Sequence, residues 1–125
     1  MSTASGSPRV LIVEDHVDSR ELMALAFRDA GFSVAEAENA GQAVNLLQDE
    51  VLPSLILSDL VMPESTGWDL LKLLREDTRL RQVPVIVVTA VNPATAGVTA
   101  DAVIQKPVDP IELIEMAKRI VAVAH

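Results

Sequence analysis

Four short apolar runs in this chain each stop at a residue capable of chemistry. Val10 to Val13 runs into Glu14 and Asp15, Leu55 to Ser58 into Asp59, Val85 to Val88 into Thr89, and Ala102 to Gln105 into Lys106. If the runs are parallel strands of one sheet, these side chains share the rim at the carboxyl ends, where such sheets bind ligands. Three carboxylates gathered there repel one another, and a hard divalent cation with oxygen ligands turns that repulsion into attraction. Mg²⁺ is the expected ion, because it takes one or two carboxylates, keeps several waters and accepts phosphate oxygens as further ligands. Lys106 adds a point positive charge and Thr89 a hydroxyl donor, both suited to a phosphoryl oxygen. Each residue alone has an ordinary explanation: strand-end acids cap helices or face solvent, Asp59 is a turn residue, Thr89 a β-former and Lys106 a loop lysine. Their joint occurrence at four equivalent positions is what singles them out.

The pattern between these positions predicts the elements that hold them. Short apolar runs alternate with amphipathic stretches, as in a parallel sheet with crossover helices. Val10 to Val13 reads as a strand covered on both faces. Asp18 followed by Glu21 has capping-box spacing. Leu22, Leu25, Ala26 and Ala30 then recur at helical spacing until Gly31, predicting a helix from Ser19 to about Ala30 with its leucines in the core. Phe32 to Ala37 is a weaker strand, and Asn39 caps a helix whose inner side carries Ala43, Val44, Leu46 and Leu47. Leu70, Leu71 and Leu74 mark a third helix after the loop-like stretch from Pro63 to Gly67, and Pro84 opens the strand that leads to Thr89. Met23 and Met116 read as core. Asp109, Pro110 and Glu112 are the cap, first-position and third-position signals of a last helix. Five strands joined by right-handed crossovers give an α/β fold, a doubly wound parallel sheet with helices on both faces.

The chain has 125 residues, which fits one domain, expected over 9–125 after a small, polar leader at 1–8 that reads as disordered. Half the residues are apolar and 22% are charged, enough to build a core. A net charge of −8 argues against nonspecific binding to nucleic acid or to an anionic membrane. Residues 1–62 hold ten acids and three bases, so the acidity sits in the half that carries Glu14, Asp15 and Asp59. There is no cysteine, which excludes disulfides and thiolate chemistry. No run is long enough to span a bilayer and no signal-peptide pattern opens the chain, so a soluble cytoplasmic protein is expected.

As a set, Glu14-Asp15, Asp59 with Met62, Pro63 and Gly67, Thr89-Ala90 and Lys106-Pro107 resemble a response regulator receiver domain over essentially all of residues 9–125. The resemblance implies a flavodoxin-like strand order of 2-1-3-4-5. It implies that Asp59 accepts a phosphoryl group from a histidine kinase or histidine phosphotransfer protein, and that small acyl phosphates also serve as donors. It implies Mg²⁺ held directly by Asp15 and Asp59, through water by Glu14, and by the backbone carbonyl of Val61. In this reading the Asp59 carboxylate attacks phosphorus while Mg²⁺ and Lys106 neutralise the equatorial oxygens, and Thr89 then moves toward the new phosphoryl group. On this resemblance the protein is expected to assist its own phosphorylation and dephosphorylation but to be a phosphoacceptor, not a turnover enzyme.

Two departures from the family concern output. The switch aromatic expected shortly before the Lys-Pro pair is replaced by Val103, which has no ring to swing inward and can equally well simply pack. Thr89 and Lys106 lie 17 positions apart, short for the family, and Pro93, Gly97 and two threonines between them predict a shortened or missing fourth helix. Val61 and Val91 offer no general base, which predicts slow loss of the phosphoryl group. Trp68 is placed either to report binding at the site by fluorescence or as a partly exposed helix residue. His16, a lone histidine, makes no metal site. A Mg²⁺-dependent phosphohydrolase is disfavoured because Val61 stands where its acid/base carboxylate belongs. A pseudo-receiver used only as an interaction module is the alternative to the phosphoacceptor. The sequence reads as carrying no effector domain after the last helix, so output through a protein partner rather than direct DNA binding is expected, from a free-standing receiver or a fragment of a larger regulator or hybrid kinase.

Overall fold

The described residues form five strands and four α-helices. They are β1 (Arg9–Val13), α1 (Val17–Asp29), β2 (Ser33–Ala37), α2 (Ala40–Leu46), β3 (Leu55–Asp59), α3 (Gly67–Glu76), β4 (Val85–Thr89), β5 (Ala102–Gln105) and α4 (Pro110–Ala124). The structure, a computed structural model, describes residues 8–48, 51–60, 67–90, 92 and 100–124. The expectations for the leader at 1–7, for Val61, Met62 and Pro63, for Val91 and for a shortened fourth helix at 93–99 lie outside the described residues, as does the side chain of Trp68.

The sheet is parallel throughout, in the order β2-β1-β3-β4-β5. That is the flavodoxin-like 2-1-3-4-5 arrangement that the family resemblance implies. The three central strands β1, β3 and β4 are buried on both faces apart from Arg9, which is why their sequences run apolar without alternation. Successive side chains point to opposite faces. Leu11, Val13, Ile56, Val85 and Val87 thus meet Ala43, Leu47, Leu70 and Leu74 from α2, α3 and the turn after α2. Val10, Ile12, Leu55, Leu57, Ile86 and Val88 meet Ala24, Phe27, Leu113 and Ala117 from α1 and α4. Val103 packs against the first of these clusters.

Helix α1 departs from its sequence reading in two ways. Its cap is His16 rather than Asp18: the imidazole Nδ1 accepts from the Ser19 amide at 3.3 Å, and the helix begins at Val17. Asp18 falls in the first turn instead, where its charge complements the helix dipole. Leu22 and Leu25 are not core; they are 67% and 56% exposed, and Ala24 and Phe27 face the sheet. The helix carries apolar residues on two sides, and the Phe27 ring decides between them by packing edge-on against Phe32 at 4.9 Å. The same two residues close the helix. The Phe32 amide donates to the Phe27 carbonyl at 2.9 Å and the Gly31 amide to the Arg28 carbonyl at 3.0 Å, with Gly31 at φ 94°. This is the Schellman arrangement, which needs a left-handed residue at Gly31. No atom lies within 4 Å of a Cβ built there, so Gly31→Ala is expected to cost about 1 kcal/mol of purely conformational origin. Urea unfolding with an unchanged m-value checks it.

The other caps follow the sequence. Asn39 Oδ1 accepts from the Gln42 amide at 2.8 Å, and Asp109 Oδ1 from the Ile111 amide at 2.9 Å ahead of Pro110. No helix among the described residues is long and apolar enough to cross a membrane.

Candidate functional site

Strand register brings the four rim positions together. Val13 pairs with Ser58, so Glu14 and Asp59 leave adjacent strands at the same level. Asp59 pairs with Val88 and Thr89 with Gln105, and the Lys106 amide donates to the Thr89 carbonyl at 2.8 Å. Residues from the two ends of the chain therefore meet. Lys106 Nζ donates to Glu14 Oε1 at 2.8 Å and to Asp59 Oδ2 at 3.4 Å.

The site is polar and yet largely closed to solvent. Glu14, Asp59 and Thr89 are buried, Glu14 to 1% exposure. Asp59 Oδ1 accepts from the Leu60 amide at 2.7 Å, which orients the carboxylate and turns its other oxygen toward Lys106. Glu14 Oε2 accepts from the His16 amide at 3.3 Å. Ligand atoms of Glu14, Asp15 and Asp59 all lie within 4.8 Å of one another. An octahedral Mg²⁺ with oxygens at about 2.1 Å holds those oxygens about 3 to 4 Å apart, so small side-chain rotations suffice. All three donors are hard oxygens, the set this ion selects. The residues fit the metal.

Electrostatics point the same way. Burial raises the Glu14 carboxyl above its ordinary value of 4.5, the Asp59 charge raises it further, and Lys106 only partly compensates. For Lys106, burial works against the charged form, yet its contacts with Glu14 and Asp59 hold it above the ordinary 10.5. A raised acid binds its proton more tightly in the folded chain. The Glu14 contribution is therefore complete below pH 4.5 and is lost as pH rises through its folded value. The Lys106 contribution persists until pH rises past 10.5 toward its own folded value. Between those limits, of these two groups, Glu14 loses its contribution and Lys106 keeps its own. Without divalent cations, the melting temperature of the wild type relative to Glu14→Gln is expected to fall as pH rises above 4.5. Mg²⁺ at a hundred times its dissociation constant should restore about 2.7 kcal/mol. Thermal melts across pH in EDTA and in Mg²⁺ check both.

Two features near the site carried no signal singled out in the sequence. Arg20 reaches back from α1 and donates from Nη1 to the Glu14 carbonyl at 2.9 Å. Beside Lys106, a groove of roughly 710 Å³ runs between α1 and the start of α4, lined by Leu22, Met23, Leu25, Pro107, Val108 and Leu113 among others. The exposed leucines of α1 are part of its wall. Ile111, 70% exposed, stands on the first turn of α4.

Comparison with known proteins agrees with this geometry. The family model described as the response regulator receiver domain matches residues 10–118. The chain is 32% identical over 120 residues to a rice (Oryza sativa subsp. japonica) protein, two-component response regulator ORR5, covering 92% of this chain and 90% of that one. It is 35% identical to the phosphate regulon transcriptional regulatory protein PhoB of Escherichia coli (strain K12), with 90% of this chain aligned to 51% of that protein. Among solved structures, the signal receiver domain of a signal transduction histidine kinase from Syntrophus aciditrophicus superposes with a TM-score of 0.85 at 30% identity, over 93% of this chain and 91% of that one.

Proposed function

The chain belongs to the response regulator receiver domain family of two-component systems, and we propose that it takes a phosphoryl group onto Asp59 from a phosphohistidine donor. The donor is a histidine kinase or a histidine phosphotransfer protein, Mg²⁺ is the cofactor, and output passes through a protein partner. The observation that carries this reading is the joining of Glu14, Asp59 and Lys106 across strand ends, with Asp15 within metal-ligand reach.

Asp15 and Asp59 would ligate Mg²⁺ directly and Glu14 through water; the Val61 carbonyl, the remaining protein ligand in this reading, lies outside the described residues. When bound, the ion neutralises charge on the phosphoryl oxygens. The chain's own residues do the rest. The Leu60 amide fixes the Asp59 carboxylate for in-line attack. As the new O–P bond forms, the P–N bond of the donor breaks, and the imidazole leaves with the electron pair and takes up a proton. Lys106 moves from its carboxylate partners to a phosphoryl oxygen, holding charge where it develops. The buried Thr89 hydroxyl, bonded through its backbone to Lys106, shifts toward the same oxygens and biases the surface around β4 and β5. Val103 already packs on the core, so this shift reaches the surface without a swinging ring. The chain is a phosphoacceptor and not a turnover enzyme.

Incubation with acetyl phosphate and Mg²⁺ followed by intact-mass measurement tests the reading. A gain of one phosphoryl group, absent in EDTA, is expected. No gain from acetyl phosphate or from any phosphohistidine protein would overturn it in favour of a pure interaction module.

A further inference from the structure

The turn that presents Asp15 is bonded on every side but one. The Glu14 amide donates to the Ala37 carbonyl at 3.0 Å, the Glu14 carbonyl accepts from Arg20, and the His16 carbonyl accepts from the Arg20 amide at 2.9 Å. Among the described residues none donates to the Asp15 carboxylate, so its direction is inherited from the peptide that joins it to Glu14. Arg20 grips that peptide. Its Nη1 holds the Glu14 carbonyl at 2.9 Å while its Nε donates to Glu36 Oε1 at 3.3 Å, and Arg28 takes the other Glu36 oxygen at 3.3 Å. The Arg20 side chain is only 15% exposed. A rigid fork with two donors on different atoms serves this geometry, and a lysine ammonium does not.

We propose that Arg20, braced by Glu36 on β2, is a positioning residue that aims Asp15 at the metal by fixing the Glu14 carbonyl. The proposal rests on the phosphoacceptor reading, since the cation it serves is that reading's Mg²⁺. It makes a prediction whose sign separates it from simple electrostatics. Arg20 places a positive charge beside a cation site, so by Coulomb's law its removal should strengthen metal binding. If it positions a ligand, its removal should weaken binding.

Mn²⁺ titration followed by electron paramagnetic resonance, on the whole chain, provides the measurement. Arg20→Gln is expected to bind Mn²⁺ about tenfold more weakly, as for other outer-shell partners of metal ligands. Arg20→Lys, which keeps the charge but loses the fork, should weaken binding nearly as much, and Glu36→Gln, which loosens the brace on Arg20, in the same direction by less. Arg79→Gln removes an arginine that holds the Leu47 carbonyl far from the site and should leave affinity within about twofold. Saturating Mg²⁺ should restore acetyl phosphate uptake in Arg20→Gln, which general structural damage would not allow. Equal or tighter Mn²⁺ binding by Arg20→Gln overturns the proposal while the phosphoacceptor reading stands. Should that variant fail to fold, Arg20→Lys decides: weaker binding supports positioning, and unchanged binding overturns it. A wild type that binds no Mn²⁺ sinks the underlying reading instead.

Discussion

Asp59→Asn is expected to abolish phosphoryl uptake, lowering its rate by at least about a thousandfold, as removal of a covalent nucleophile does elsewhere. The substitution suits the question because it changes little else. An Asn side chain keeps the shape of Asp, and its carbonyl oxygen can still accept from the Leu60 amide that Asp59 Oδ1 now receives at 2.7 Å. Lys106 keeps its shorter bond, the one to Glu14 at 2.8 Å. The fold should therefore survive, and one negative charge leaves a rim where carboxylate ligand atoms crowd within 4.8 Å. The stabilisation by Mg²⁺ should shrink together with phosphorylation, because the nucleophile is also a proposed ligand. Intact mass after acetyl phosphate treatment, with melting curves in Mg²⁺ and EDTA on the same sample, reads both. Uptake that persists in the variant would move the acceptor to another residue.

The rim was legible because buried parallel strands write themselves as apolar runs, and the residue that breaks each run marks its carboxyl end. Glu14, Asp59, Thr89 and Lys106 were each visible that way. What the sequence does not display is which carboxylate Lys106 prefers, since that depends on strand register: Val13 opposite Ser58 and Thr89 opposite Gln105. Helix α1 was misread for a different reason. With apolar residues on two faces, helical spacing admits either face as the core, and the leucines are larger than Ala24. Tertiary packing settles it through Phe27, whose partner Phe32 lies beyond the helix. Likewise Asp18 has the better capping chemistry, yet His16 occupies the cap because the chain leaves β1 through Glu14, whose side chain holds the His16 amide. Arg20 had a faint signal. An arginine one turn after the acidic pair, with an acid at Glu36 in a strand that pairs with β1, is the pattern of a braced loop.

The exposed leucines lead to the prediction with the greatest consequence for partner choice. In the proposed function a phosphohistidine donor would seat its imidazole over Asp59, and among the described residues an apolar surface that reaches the site is the groove whose wall includes Leu22 and Leu25 and whose lining runs to Lys106. Two leucines buried at the centre of such a contact would each contribute about 1 to 2 kcal/mol. Leu22→Gln with Leu25→Gln keeps good helix formers on α1. The double variant is expected to lose about a hundredfold in kcat/KM for transfer from a phosphorylated histidine phosphotransfer protein, while uptake from acetyl phosphate stays near wild type. On that reading the small donor would need only the acidic rim, whereas the protein donor would need the groove as well. Equal slowing with both donors would mean that the substitutions disturb the site itself, and no slowing with the protein donor would place its seat on another face of the domain.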